Sequence, residues 1–274
     1  MQERARTFIM KPYQNRIVVK VGTSTLTNEL GKSDLRCFDR LACVLSDIQN
    51  MGYEVVLVSS GAIAVGRNKL NMTSKPDSMR MKQAAAAVGQ CSLMYLYDKF
   101  FGDYDKTVAQ ILLNAEDIEQ EEKKENLINT FNALLEMGVI PIVNENDSVS
   151  YKEIESEDRL FGDNDMLSAV VAVLCRARHL VILSDIDGFY DHDPRLYPNA
   201  KLIEQIDTID DSVYALAGGA GSRRGTGGMR TKLQAAALAT SQGTDTIVTN
   251  GKHPEALYDI VKGLHAGTLF PGKI

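Results

Sequence analysis

The chain has 274 residues, 44% hydrophobic and 24% charged, and 30 basic against 36 acidic side chains leave a formal charge of −6. That composition is globular, long enough to bury a core without disulfide or metal, and argues against a disordered, fibrous or nucleic-acid-coating protein. Cys37, Cys43, Cys91 and Cys175 make no CxxC pair, the four histidines make no HxxxH or HExxH spacing, and no run is long and apolar enough for a membrane helix.

From the N-terminus, MQERARTFIMKP lacks the apolar stretch of a secretory signal, so residues 1–14 read as an extension and the chain as reduced and cytoplasmic. Ile17-Val18-Val19 is the first of a series of short, continuous, β-branched runs. The others are Val55–Val58, Val108–Leu113, Val139–Val143, Leu180–Leu183 and Thr246–Val248. Continuous apolarity bounded by Gly, Asn, Asp or Ser predicts strands buried on both faces, as in a parallel sheet.

Helical periodicity falls between these runs. Residues 34–50 line up Cys37, Phe38, Leu41, Val44, Leu45 and Ile48, with Gly52 as a stop signal. Further helices are predicted over 79–100, 126–137, 165–177, 229–242 and 254–262, the last with Pro254 in its first turn. Strand and helix alternate along the whole length. The predicted fold class is therefore α/β, an αβα sandwich on a mainly parallel sheet, with the strand C-termini along one edge where ligands sit. Residues 114–125, with six acidic side chains, read as a solvated surface, and residues 149–162 as a hairpin or loop. Neither looks like a boundary, so residues 15–274 are expected to form one domain whose halves flank a crevice.

The chemistry gathers after the strands. Lys20 ends a buried strand, where an ammonium is costly unless an anion compensates it or the side chain snorkels to an edge. Gly22, Thr23 and Ser24 follow. Ser59-Ser60-Gly61-Ala62 leads from a strand into a helix, either a tight turn or an anion site. Asn144-Glu145-Asn146-Asp147 follows another strand. Asp163-Asn164-Asp165 opens an apolar helix, and an N-cap role explains one of its two aspartates better than both. Ser184-Asp185 ends a further strand ahead of a turn rich in Asp and Gly.

Residues 218–228 hold six glycines in eleven positions, and Met229-Arg230-Thr231-Lys232 then starts a helix. The spacing fits neither a P-loop nor a dinucleotide fingerprint. Open backbone donors, a helix N-terminus and basic side chains still suit a polyphosphate better than they suit a linker. Two lysines, glycine-rich turns and an Asp/Asn set make a consistent phosphoryl-transfer kit.

Lys20-Val21-Gly22-Thr23-Ser24, Ser59 to Ile63, Val143 to Asp147, Gly162 to Asp165 and Gly225 to Lys232 resemble the amino acid kinase superfamily, in the family's order, from about residue 15 onward. Within it they are similar to the branch that phosphorylates the side-chain carboxylate of free L-glutamate with ATP, the entry step to proline synthesis. The resemblance implies that Lys20 and Lys232 stabilise the transferring phosphoryl group and that Asp165 orients them. It implies glutamate binding by Gly22, Ser60, Gly61, Asn144, Asp147, Asp163 and Asn164 in the N-terminal part. It implies ATP binding by Ser184, Asp185, Thr226, Gly227, Gly228, Met229, Arg230, Thr231 and Lys232 in the C-terminal part. Magnesium would come with the ATP phosphates rather than on protein ligands. Proline as a feedback inhibitor and a homo-oligomeric state are family traits carried with it. Against longer members the chain is expected to lack a C-terminal PUA domain. The competing readings are an N-acetylglutamate kinase or aspartokinase, which usually place Gly-Gly after the first lysine, and a non-catalytic sensor, which need not keep Lys20, Asp165 and Lys232.

Overall fold

The computed structural model describes residues 13–28, 32–74, 76–149, 164–217 and 228–273. The N-terminal part contains β1 (Tyr13–Val21), α1 (Thr23–Leu26), α2 (Leu35–Asn50), β2 (Glu54–Ser59), α3 (Ala62–Lys69) and α4 (Met79–Gly102). It continues through β3 (Val108–Leu113), α5 (Ala115–Glu119), α6 (Glu121–Glu136) and β4 (Ile140–Glu145). Then come α7 (Asn164–Leu174), β5 (Ala177–Ser184), α8 (Asp211–Ala217), α9 (Met229–Ser241), β6 (Asp245–Asn250), α10 (Ala256–Val261) and β7 (Thr268–Phe270).

One seven-stranded sheet has the order β3-β4-β2-β1-β5-β6-β7. Every neighbouring pair is parallel except β6 with β7. Val21 pairs with Ser59 on one side and Leu183 on the other, and Val58 pairs with Val143, so the strand C-termini share one edge. The side chains explain the burial. In β1, Ile17 and Val19 point into the core under α2 and α4, while Val18 points into the opposite core with Leu167 and Leu233. All three are fully buried, as the unbroken β-branched run requires. Helix α2 starts where Asp34 accepts from the N–H groups of Arg36 and Cys37, and the chain turns out at Gly52 with φ +92°.

Helices α3 and α4 cross at backbone contact. A Cβ on Gly66 would lie 1.8 Å from the Ala85 carbonyl oxygen, and one on Gly89 would lie 1.7 Å from that of Ala62. Only glycine fits at either position.

Some boundaries differ from the sequence expectation. The helix expected over 165–177 stops at Leu174, because Arg176 takes φ +51° and β5 already begins at Ala177. Pro254 precedes α10 in a turn instead of sitting in its first turn. The acidic stretch 114–125 is helical, with an Asn114–Asp117 capping box opening α5. Strand β7 is short and antiparallel, and no periodic run announced it. Most of the stretch expected to be a hairpin or loop, and the glycine-rich segment 218–227, lie outside the described residues. Among the described residues no helix is long and apolar enough to cross a membrane.

Candidate active site

Lys20 is the penultimate residue of β1, and Asp165 is the second residue of α7. The Lys20 Nζ stands 2.7 Å from Asp165 Oδ1, and Lys232, in the first turn of α9, places its Nζ 3.0 Å from Oδ2. Asp165 is fully buried and both lysines are 7% exposed. The anion that a buried Lys20 requires is thus supplied by a helix whose N-terminus also favours a carboxylate. Burial alone would raise the Asp165 pKa, but the Lys20 and Lys232 ammonium groups outweigh it and hold the carboxyl below its ordinary value. Among the described residues two ammonium groups thus converge on one carboxylate, nearly shielded from water, an arrangement suited to receiving a further anion.

Thr231 joins this triad. Its hydroxyl is 3.1 Å from Asp165 Oδ2 and 2.8 Å from the Gly228 carbonyl oxygen. Sequence reasoning assigned Thr231 only to the nucleotide. The contact with Asp165 comes from one helical turn of α9 and could not be seen without the fold. Gly22 lies just after β1, where a Cβ would sit 3.6 Å from Lys20 Nζ. Gly61, just before α3, has φ +98°, a left-handed conformation that strains other residues.

Next to Asp165 on α7, Asn164 faces the other way. Its Nδ2 is 3.1 Å from the Ser59 carbonyl oxygen, 2.8 Å from Ser60 Oγ and 3.2 Å from Asn144 Oδ1. Asn144 is buried at the end of β4, and its Oδ1 also accepts from the Glu145 N–H at 2.9 Å. Adjacent residues of one helix therefore join two clusters, the cationic triad and a neutral amide–hydroxyl network.

Asp147 lies in the turn after β4. It lines a cleft of about 460 Å³ with Ala62, Ala86, Gln90, Glu145 and Ser148. Burial pushes its pKa up to about 6. Gln90, on α4, accepts from Asn144 Nδ2 at 2.9 Å. No motif pointed to Gln90.

Of the residues expected to hold a nucleotide, the described ones reach the same edge. Ser184 ends β5 and its hydroxyl donates to Asp185 Oδ1 at 3.2 Å, while Asp185 itself is exposed. Gly228 caps α9, Met229 is half-buried, and Arg230 is exposed with its guanidinium 5.8 Å from the Tyr214 ring. Asp163, Thr226 and Gly227 lie outside the described residues. Among the described residues no group of three or more His, Cys, Asp or Glu is arranged to hold a metal ion.

A family model described as "Amino acid kinase family" matches residues 15–250. The "Glutamate 5-kinase" of Clostridium perfringens is 57% identical over 258 residues, spanning 94% of this chain and 96% of that protein. The "Glutamate 5-kinase" of Listeria innocua is 50% identical over 258 residues, spanning 94% of this chain and 93% of that one. Among solved structures, the T. acidophilum isopentenyl phosphate kinase product complex superposes with a TM-score of 0.64 at 19% identity, covering 93% of this chain and 99% of that one. At that identity the likeness concerns the fold alone.

Proposed function

Because the chain belongs to the amino acid kinase family, we propose that it transfers the terminal phosphoryl group of ATP to the side-chain carboxylate of L-glutamate, making γ-glutamyl phosphate, the first step of proline biosynthesis. The observation that carries this reading is the buried Lys20–Asp165–Lys232 triad, two ammonium groups on one carboxylate, beside the Asn164–Ser60–Asn144 network. Relatives named glutamate 5-kinase are 57% and 50% identical to this chain over 258 residues.

The chemistry assigns each residue a task. A glutamate side chain is already ionised at neutral pH, so the attacking oxygen needs no general base. Asp165 therefore holds no proton in the mechanism; it orients two ammonium groups. An oxygen–phosphorus bond forms to the substrate carboxylate as the bond to the leaving diphosphate breaks, and negative charge moves onto the leaving oxygens. Lys20 and Lys232 meet that charge, and losing one such donor typically costs on the order of 10²–10³ in rate. The N–H groups at Gly22 and Gly61 line the path between the reacting anions. The two ammonium groups of the triad suit the phosphate oxygens of a magnesium–ATP complex. Magnesium itself favours phosphate oxygens and water over an all-protein cage.

On the amino-acid side, Ser60, Asn144 and Asn164 hold the substrate, and Asp147 takes its ammonium group. Asp163 joins them in this reading, and Ser184, Asp185 and Thr226 through Lys232 hold the nucleotide. The N-terminal part of the single domain thus serves glutamate and the C-terminal part serves ATP. An unpaired Asp147 carboxylate would penalise an N-acetylated analogue. Proline, which presents an α-carboxylate and a ring ammonium but no side-chain carboxylate, competes there, and the protein works in the cytoplasm as a homo-oligomer.

A hydroxylamine trap for acyl phosphate tests the reading. Protein, ATP and magnesium are offered L-glutamate, N-acetyl-L-glutamate or L-aspartate, with Lys232→Ala as the blank and one glutamate tube carrying millimolar proline. Hydroxamate is expected from glutamate alone, reduced by proline and absent in the folded variant. Signal from another carboxylate alone would keep the kinase chemistry and overturn the substrate. Silence in every tube would favour a non-catalytic sensor.

A further inference from the structure

On the glutamate-kinase reading, we infer that Gln90 is a positioning residue for the amino-acid substrate, acting through Asn144. The inference rests on the direction of each hydrogen bond. A backbone carbonyl only accepts, so the Asn164 amide must turn Nδ2 toward the Ser59 oxygen 3.1 Å away. A backbone N–H only donates, so Asn144 must turn Oδ1 toward the Glu145 nitrogen 2.9 Å away. Asn144 Nδ2 then necessarily faces Gln90, and Gln90 must answer with Oε1, as it does at 2.9 Å. A single sense of donation runs from Asn164 to Asn144 and from Asn144 to Gln90. Its consequence falls on Ser60. Asn164 donates to the Ser60 oxygen at 2.8 Å, which leaves the hydroxyl hydrogen free to donate to a bound ligand.

Gln90 is the acceptor that ends this chain. Asn144 is 2% exposed, so a side chain of similar length at position 90 keeps bulk water from replacing the lost partner. Without an acceptor at position 90, Asn144 keeps a buried amide hydrogen unsatisfied or rotates and presents Nδ2 to the Nδ2 of Asn164. Either outcome loosens the network that orients Ser60 and Asn164. The fold also fixes where Gln90 stands. It follows Gly89, whose backbone touches Ala62 at the start of α3, two residues past Ser60. The glycine crossing thus sets the distance between the two ends of the relay. Gln90 further shares the wall of the cleft with Asp147.

The test compares Gln90→Met, of similar length without an acceptor, with Gln90→Glu, which restores the acceptor and adds a charge. Steady-state kinetics at near-neutral pH are read together with thermal midpoints. Gln90→Met is expected to raise the glutamate KM about tenfold, the size of one lost buried partner, with kcat, the ATP KM and the midpoint little changed. Gln90→Glu is expected to recover most of that loss. Unchanged kinetics in Gln90→Met would overturn the inference. So would a parallel loss in both KM values, kcat and the midpoint, which marks a merely structural role. A worse result for Gln90→Glu than for Gln90→Met would also overturn it, because a side chain that meets the substrate's own carboxylate suffers most from a negative charge. A wild-type protein inactive on glutamate removes the parent reading and this one together; an active wild type with an indifferent Gln90→Met removes this one alone.

Discussion

At the scale of single residues, charge and burial conflict most at Asp165 and Asp147, and the two resolve it differently. Asp165 is fully buried yet held ionised, because Lys20 and Lys232 both stand within 3.0 Å. Asp147 has burial with no compensating cation among the described residues, and its pKa rises to about 6. The sign of the consequence follows from the unfolded value of 3.8. At pH below that value Asp147 is protonated in both states and burial carries no charge penalty. As pH rises from there through about 6, the folded state must hold a buried charge and loses stability relative to the unfolded chain. Asp147→Asn is therefore expected to stabilise the ligand-free protein at pH 7.5 by about 1–2 kcal/mol, discounted for its partial exposure, and by less at lower pH. Denaturant melts at several pH values check this. The same carboxylate must be ionised to take an ammonium group, so the glutamate KM should fall as pH rises through about 6 and stay flat in Asp147→Asn. A wild-type KM that is independent of pH across that range would remove Asp147 from substrate binding.

At the scale of elements, the position of α3 against α4 matters most for the site. The two helices meet through Ala62, Gly66, Ala85 and Gly89, and no side chain separates them at the glycines. The alanine run from Ala84 to Ala87 is visible in sequence, but it reads only as a helix of small residues. That Gly89 touches Ala62, and so places Gln90 behind Asn144, depends on a partner helix that sequence periodicity cannot specify. Gly89→Ala would drive a methyl group onto a backbone oxygen, which no rotamer change can relieve. It is expected to cost about 2–3 kcal/mol of stability and to raise the glutamate KM more than the ATP KM. Chemical unfolding with parallel kinetics checks it, and a variant with unchanged stability would contradict the close crossing.

At the scale of the whole molecule, β1 unites the protein. Its Ile17 and Val19 belong to one core and Val18 to the other, and β2 and β5 pair with it on either side. Neither half of the sheet can lose order without exposing residues of the central strand. Calorimetry is therefore expected to show one cooperative transition, shifted upward by saturating ATP and glutamate. Ligand at 100 times its dissociation constant adds about 2.7 kcal/mol to the folded state. Two separate transitions would divide the chain into independent halves and contradict the single domain expected over 15–274.

The sequence by itself determined the alternation of strand and helix, the parallel sheet and the edge where chemistry collects. These follow from apolar period, β-branching and turn residues, all of which act over a few neighbours. It also marked Lys20, Asp165 and Lys232, since ionisable residues at buried strand and helix ends stand out against an apolar background and match a family pattern. The family resemblance already paired Asp165 with Lys20 and Lys232, but only the tertiary structure decided that Thr231 reaches the same carboxylate. It alone showed that Asn164 and Asp165 turn to different clusters, and that Gln90 accepts from Asn144. Those outcomes depend on contacts between residues as far apart as 60 and 164, 90 and 144, or 165 and 231. Short β7 belongs with them, since three residues carry too little periodicity to declare a strand until β6 offers its edge. Local pattern sets the direction of the chain, whereas distance and hydrogen-bond polarity between remote segments are properties of the packed fold.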